Sequence, residues 1–441
     1  MQLLRQQVSI PSSLPNLKTS PVSIVIVGTG PVGIRAAQEL LRRAPHHPLV
    51  LYGNEPWAPY NRVQLSCFLA GDTTWQDLDN TLHVPPGSTV IQRHHCAVVS
   101  IDPTAHTVTD AAGRIQPYSS LILALGARPH VPSIPGADLS GVYVFHDMND
   151  AQRLLARSTR SHRALVLGGG VLGLEAARAL QRRTTEVTII QHTDRLMGKQ
   201  LDEAASSMLL ERLRSLGMQI LLGESIQSVL GEWTVTGVRL RSGTVLPCDT
   251  LVIATGIKPN TQLALATGLH IGQGITVDDC MRTSEPSIYA IGDCAEHRSR
   301  IYGLVAPGLE QAAVAAHCVL GGVAHYHGSQ VATQLKIVDL LVFSAGRVGE
   351  EEPALSFQTV THERRPDGVY RKLVLHGGKL VGAVAIGDWP ERMRAQEALS
   401  VTRRLWPWQL ARFRLSGALW PAQQATSITE WPQHATVCIC T

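Results

Sequence analysis

Residues 28–40, GTGPVGIRAAQEL, and residues 168–180, GGGVLGLEAARAL, are one pattern written twice, 140 residues apart. Six of the thirteen positions are identical: three glycines, two alanines and the closing leucine. Each copy follows a short apolar run, SIVIV at 23–27 and ALVL at 164–167, and each opens a segment with helical apolar spacing. Strand, glycine turn and helix in that order form the context in which G-x-G-x-x-G signals dinucleotide binding. The first glycine makes the tight turn, the second lets a pyrophosphate reach the backbone, and the third lets helix and strand pack closely. The helix N-terminus adds N–H donors and partial positive charge. Gly28, Gly30 and Gly33 fill these roles in the first copy, and Gly168, Gly170 and Gly173 in the second. A single copy would pass as a structural glycine-rich turn, but two in the same context would not.

A second repeat supports the duplication. ALGARP at 124–129 lies over ATGIKP at 254–259, each after an apolar run, LIL or LVI. Each reads as a strand ending in a glycine turn, at Gly126 and Gly256, beside a bound nucleotide. Two such units imply two dinucleotides meeting face to face, an arrangement suited to electron or hydride relay. In the first unit an acid is expected about 20 residues beyond the glycines, where it would hold ribose hydroxyls. Glu55 follows Gly33 by 22 residues, after PLVLYG. In the second unit the matching strand, EVTII, runs into Gln191 and His192, with neither an acid for a 2′-hydroxyl nor an arginine for a 2′-phosphate. The nearest arginine, Arg195, is four residues late, which leans the site to NADH.

The chain has 441 residues, enough for two to four domains. A hydrophobic fraction of 44% with 17% charged residues excludes general disorder and a disulfide-dense miniature scaffold. The net charge of +4 is too mild and dispersed to argue for nucleic acid. No apolar run reaches the roughly 18–20 residues of a membrane helix. The first twenty residues are polar and proline-punctuated, so they read as a flexible tail without a secretory signal. Eight cysteines, scattered except for Cys438 and Cys440, fit cytosolic usage and a cytoplasmic location.

With these motifs the chain resembles the two-dinucleotide flavoproteins that include ferredoxin and rubredoxin reductases, NADH oxidases and glutathione reductase. The segments YNRVQLSCFLAG (60–71), MGKQLD (197–202), VAPGLEQA (305–312) and TQLKIVDLLVFSAG (333–346) narrow the resemblance. They look like the FAD-containing part of assimilatory NAD(P)H nitrite reductase large subunits and the nitrate reductase electron-transfer subunit. The resemblance implies FAD on the first glycine motif and NAD(P)H on the second. It also implies that Gly292 and Asp293 of IYAIGD return to the flavin ribityl chain, that Arg62 contacts FAD and that Glu175 lies near the nicotinamide. A helix beginning near Pro307, with Glu310 in its first turn, is expected to point its positive end at the flavin pyrimidine edge.

The resemblance further implies a [2Fe-2S] domain opening with Cys-x-Cys, and the chain ends in VCICT, with Cys438 and Cys440 as the first half of a ligand set. The cluster is expected only if the parent chain continues beyond Thr441. The cysteine pair of disulfide-reducing members is missing, but Cys67 falls where NADH oxidases and peroxidases carry a single redox cysteine. It is the catalytic candidate for an oxidase or peroxidase alternative. Five of the eight tryptophans lie between Trp389 and Trp431 beside Arg403, Arg404, Arg412 and Arg414, which suits either interface anchors or a domain core.

The expected fold is α/β, with two Rossmann-like domains, for FAD and NAD(P), and an α+β C-terminal domain. The expected division is a tail at 1–20, the FAD domain at 21–140 and 266–322, the NAD(P)H domain at 141–265, an interface domain at 323–430, and the start of a truncated cluster domain at 431–441. The expected function is FAD-dependent NAD(P)H oxidoreduction in nitrate or nitrite assimilation. Electrons would pass to an iron–sulfur or haem redox protein, or to a catalytic nitrate or nitrite reductase subunit, without nucleic acid or membrane and with a homodimer as the candidate assembly. The alternatives are an NADH oxidase or peroxidase, a ferredoxin or rubredoxin reductase, and a flavin redox sensor without turnover.

Overall fold

The computed structural model describes residues 22–183, 185–337, 340–348 and 356–421. The expected tail, the expected cluster-domain start with Cys438 and Cys440, and Trp431 lie outside the described residues. Each apolar run before a glycine motif becomes the middle strand of a five-stranded parallel sheet. The first sheet runs Ile288–Ala290, Ser120–Leu123, Ile24–Val27, Leu49–Tyr52, Val90–Arg93. The second runs Val142–Val144, Thr250–Ile253, Arg163–Leu167, Glu186–Gln191, Gln219–Leu222. Their inner strands are nearly unbroken apolar runs, as sheets covered on both faces require.

The helices are α1 (Pro31–Arg43), α2 (Leu65–Ala70), α3 (Met148–Ser158), α4 (Val171–Gln181), α5 (Glu203–Ser215), α6 (Gln262–Ala266), α7 (Val305–Val319), α8 (Arg392–Ser400) and α9 (Pro407–Ser416). Among the described residues none is long and apolar enough to cross a membrane. In each unit the middle strand passes through its glycine turn into a helix, α1 or α4. Each unit also inserts a three-stranded antiparallel sheet before the strand that returns to the middle of the parallel sheet. The duplication thus extends well past the two repeated motifs. The ends of those return segments then meet, since Ala127–Pro129 pairs antiparallel with Ile257–Pro259 and ties one unit to the other.

The third unit is an antiparallel sheet in the order Ala332–Ile337, Leu340–Gly346, Lys379–Ile386, Val369–His376, Gln358–Arg364, packed with α8 and α9. Its tryptophans divide by burial. Trp389 (1% exposed) and Trp420 (7%) build the core, while Trp406 (56%) and Trp408 (59%) face outward.

This sheet is fastened to the second unit by a buried polar cluster on the MGKQLD segment. Asp202 caps α5 by accepting the Ala205 N–H. Its other oxygen accepts the Tyr370 hydroxyl at 2.6 Å and the Lys372 ammonium at 2.8 Å. Nearby, Ser344 donates to the Gln200 carbonyl at 2.6 Å. Removing one partner of a buried pair strands the other charge at a cost of about 3–5 kcal/mol. Lys372→Met is therefore expected to lower stability by about 3 kcal/mol. The double variant Asp202→Asn/Lys372→Met should recover part of that loss, with thermal melts of the three proteins side by side as the measurement.

Candidate functional site

The two glycine turns have matching backbone geometry. Gly28 sits at φ +119° and Gly168 at φ +122°, in the region that disfavours a side chain. A Cβ on Gly28 would lie 2.1 Å from the Ala124 carbonyl oxygen, and one on Gly168 would lie 2.3 Å from that of Ala254. Both carbonyls belong to the second sequence repeat, so the two repeated motifs touch each other within each unit. A Cβ on Gly33 would fall 1.9 Å from the Gly28 oxygen, and one on Gly173 would fall 2.0 Å from the Gly168 oxygen. At Gly30 and Gly170 the same atom meets nothing within 4 Å. First and third glycines therefore pack backbone on backbone, and the second faces open space.

Neither α1 nor α4 has a side-chain cap, and α1 starts with Pro31. The free N–H groups of the first turn therefore face the open side of the middle glycine, as an anion site requires.

A cleft of about 360 Å³ opens over the first turn. It gathers Gly28, Gly30, Gly33, Glu55, Arg62, Gly126, Gly292 and Asp293, all expected from sequence. Glu55, just past Leu49–Tyr52, accepts the Tyr60 hydroxyl at 2.7 Å and pairs with the Arg62 guanidinium. Burial pushes the Asp293 carboxyl up, and Arg62 partly offsets that shift. Arg62 thus balances two carboxylates across the cleft.

Glu310 does not line this cleft. It is exposed on α7 and accepts the Ser329 hydroxyl at 2.7 Å. The inward stripe of α7 is instead Gly308, Gln311, Ala312 and Ala315, at helical spacing. Gln311, 1% exposed, accepts the Gly292 N–H at 2.8 Å and so holds the turn that carries Asp293. The helix itself starts at Val305, which lines the cleft, two residues before the expected Pro307. The apolar period of α7 was the available signal for Gln311. Tyr60 stands in the same YNR segment as Arg62. His146 gave no sequence signal. It lines the cleft, and burial, with Arg62 second, pushes its imidazole down to about 4, so it is uncharged at neutral pH.

At the second turn, Gly256 is a left-handed turn residue at φ +105°, and the Gln191 side chain accepts the Gly169 N–H at 2.7 Å. Gln191 thus braces the turn from the strand end where an acid would otherwise stand. His192 is exposed, and Arg195 contacts the neighbouring Asp194.

Glu175 lies one turn into α4. Its Oε1 is wholly shielded and has no hydrogen-bond partner among the described residues, and burial pushes the carboxyl up to about 7, with the Ser66 hydroxyl of α2 acting against that shift. Cys67, beside Ser66, is 1% exposed and disulfide-bonded. Among the described residues, no group of three or more His, Cys, Asp or Glu is arranged to hold a metal ion.

The sequence profile described as pyridine nucleotide-disulphide oxidoreductase matches residues 22–317, and that of the rubredoxin NAD+ reductase C-terminal domain matches 332–402. The chain is 41% identical over 382 residues to an NAD(P)H nitrite reductase of Bacillus subtilis, covering 84% of this chain and 46% of that protein. It is 35% identical over 428 residues to the assimilatory nitrate reductase electron transfer subunit of the same organism, covering 95% and 53%. It spans about half the length of these relatives. In structure it is similar to the ferredoxin reductase for the CYP199A2 system from Rhodopseudomonas palustris, with a TM-score of 0.79 and 26% identity, covering 88% of this chain and 97% of that one.

The glycine geometry separates folding from binding. Gly33→Ala is expected to lose about 1–3 kcal/mol through overpacking. In the flavin-free protein, Gly30→Ala is expected to leave the melting temperature within about 1 °C of the parent, since its Cβ meets nothing within 4 Å. Differential scanning calorimetry of the two variants checks the contrast.

Proposed function

The chain belongs to the pyridine nucleotide-disulphide oxidoreductase family, and from that premise we propose that it is an FAD-dependent NAD(P)H oxidoreductase supplying electrons to a redox partner in nitrate or nitrite assimilation. The observation that carries this reading is the duplicated strand–turn–helix, with open space beside both Gly30 and Gly170 and uncapped helix N-termini behind them. The residues fit the two dinucleotides. Gly28, Gly30, Gly33, Gly126, Gly292 and Asp293 would hold FAD together with the Glu55–Arg62 pair. Gly168, Gly170, Gly173 and Gly256 would hold NAD(P)H, with Glu175 at its reacting end. When bound, the flavin supplies the step from two-electron hydride chemistry to single-electron transfer.

The chain's own contribution is binding, orientation and charge. The first turns of α1 and α4 offer N–H donors to the two pyrophosphates. Asp293, held on the Gln311-braced turn, would accept hydrogen bonds from hydroxyls of the flavin's ribityl chain. The N-terminus of α7, bordering the cleft at Val305, would lend partial positive charge to a flavin whose pyrimidine edge lay there. Glu310 has no part in this arrangement.

The partner proposed is an iron–sulfur or haem redox protein or a catalytic nitrate or nitrite reductase subunit, a reading supported by likeness to an NAD(P)H nitrite reductase and to an assimilatory nitrate reductase electron transfer subunit. The third unit is the candidate surface for a homodimer.

Three variants test the reading. Gly30→Val is expected to fold and lose its flavin, because the side chain fills the space left for a pyrophosphate. Gly170→Val is expected to keep the flavin spectrum but to slow anaerobic reduction by NAD(P)H at least about tenfold, a loss of about 1.4 kcal/mol. Full flavin occupancy in the first, or unaltered reduction in the second, would remove the assignment. Cys67→Ser is expected to leave NAD(P)H-dependent reduction of artificial acceptors intact, whereas collapse of a peroxide turnover in that variant would favour the peroxidase reading.

A further inference from the structure

Among the described residues five cysteines are free, and two of them share one acceptor. The Cys280 thiol donates to the Ala324 carbonyl at 3.4 Å, and the Cys318 thiol donates to the same oxygen at 3.5 Å. The two sulfurs are thus gathered around a single atom although they come from different elements. Cys280 lies in the turn between Ile275–Val277 and Ile288–Ala290. That turn is braced by the Asp278 carboxylate, which accepts the backbone N–H groups of Cys280 and Arg282, both at 2.8 Å. Cys318 lies in the last turn of α7.

A carbonyl is well satisfied by one N–H or O–H. Thiols are weak donors, so two of them are a poor way to satisfy it and an effective way to bring two sulfurs together. The pair is also graded in access, with Cys280 half-buried and Cys318 6% exposed. Neither lines the cleft over the first glycine turn. Burial, followed by the neighbouring Cys318, pushes the Cys280 thiol up, so the pair stays largely protonated and reacts slowly at neutral pH.

We propose that Cys280 and Cys318 form a redox modification site: a hydroperoxide oxidises the pair to a disulfide that locks the segment carrying Gly292, Asp293 and α7 into the first unit. Cys280, the accessible sulfur, attacks the peroxide. One oxygen bonds to sulfur as the O–O bond breaks, and the other leaves as water with the Cys280 proton. Cys318 then attacks the sulfenic sulfur, the S–S bond forms, the S–O bond breaks, and the hydroxyl leaves as water with the Cys318 proton. Two thiols and one hydrogen peroxide give one disulfide and two waters, with two electrons passing from sulfur to oxygen.

The modification goes beyond the electron-transfer reading and does not depend on it. The chain between residues 280 and 318 holds the edge strand Ile288–Ala290, the turn with Gly292 and Asp293, and nearly all of α7. A cross-link closing that loop removes conformations from the unfolded chain and raises stability. The same step takes both thiol donors from the Ala324 carbonyl. Ala324 belongs to the connector from α7 to the third unit, which is also held where the Tyr326 N–H donates to the Asp279 carbonyl at 2.7 Å. Oxidation therefore tightens the loop and loosens the connector.

Peroxide treatment of the flavin-loaded protein, followed by alkylation of the remaining thiols and peptide mass spectrometry, tests the site. A peptide joining Cys280 to Cys318 is expected, and the melting temperature measured by calorimetry is expected to rise by about 5 °C. Hydrogen exchange is expected to slow over residues 288–317 and to quicken over 323–326, a pair of opposite changes that general oxidative damage would not give. Cys318→Ser is expected to stop at a sulfenic acid on Cys280, captured by dimedone, with no rise in melting temperature. Cys280→Ser is expected to show neither the adduct nor the rise. If Cys318→Ser does not fold, Cys318→Ala replaces it with the same expected adduct. The double variant Cys438→Ser/Cys440→Ser is expected to respond as the parent does. Full alkylation of Cys280 and Cys318 after peroxide would overturn the site, and a joined peptide without the rise in melting temperature would overturn the lock.

Discussion

The fold depends on backbone packed directly against backbone at two glycine turns. Where the middle strand of each parallel sheet ends, the chain must reverse into a helix while the neighbouring strand ends against it. The Ala124 and Ala254 carbonyls occupy the places where side chains on Gly28 and Gly168 would stand, and the Gly28 and Gly168 carbonyls occupy those of Gly33 and Gly173. No other residue type meets both demands, so the turn, the helix start and the strand end form one indivisible element. The residues proposed for the two sites are placed from it: Glu55 at the end of the next strand, Gly126 after the returning strand, and Glu175 one turn along α4.

The same constraint explains what was legible in the sequence. A contact that admits only glycine leaves an invariant spacing, so both turns, their flanking strands and the open position between them could be read directly. The pairing of the two units through Ala127–Pro129 and Ile257–Pro259 was present as a repeat, but its meaning was not, because antiparallel pairing of distant segments has no local pattern. The error at Glu310 has a similar cause. One helix position decides whether a side chain faces the cleft, and the period of α7 puts Gln311 on the buried stripe and Glu310 outside it. His146 owes its place to the fold alone, since it reaches the cleft from the loop before α3. The tryptophan-rich stretch was ambiguous because its members divide by burial, with Trp389 packed against Phe343 and Phe413 while Trp406 lies under Arg404 at the surface.

Electrostatics differs between the places where a buried carboxylate is paired with a cation and the place where Glu175 lies. Asp202 and Lys372 neutralise each other in the interior, with Tyr370 and the Ala205 N–H satisfying the rest of the carboxylate. Arg62 stands between Glu55 and Asp293 in the first cleft. Glu175 is buried, and no cation figures among the causes of its raised carboxyl. A buried polar group with unmet capacity is costly in a purely structural role and useful in a binding one.

The order of strands in the first sheet sets a timetable for synthesis. Its edge strand, Ile288–Ala290, carries Gly292 and Asp293 into the cleft, yet it follows Ser120–Leu123 only after the whole second parallel sheet has been made. As the chain leaves the ribosome, the first unit waits with one flank of Ser120–Leu123 unpaired until the second unit is complete. Domains generally fold as units from the N-terminal end during synthesis. Here that order is inverted: the inserted second unit closes first, and the unit that began the chain is finished afterwards around it.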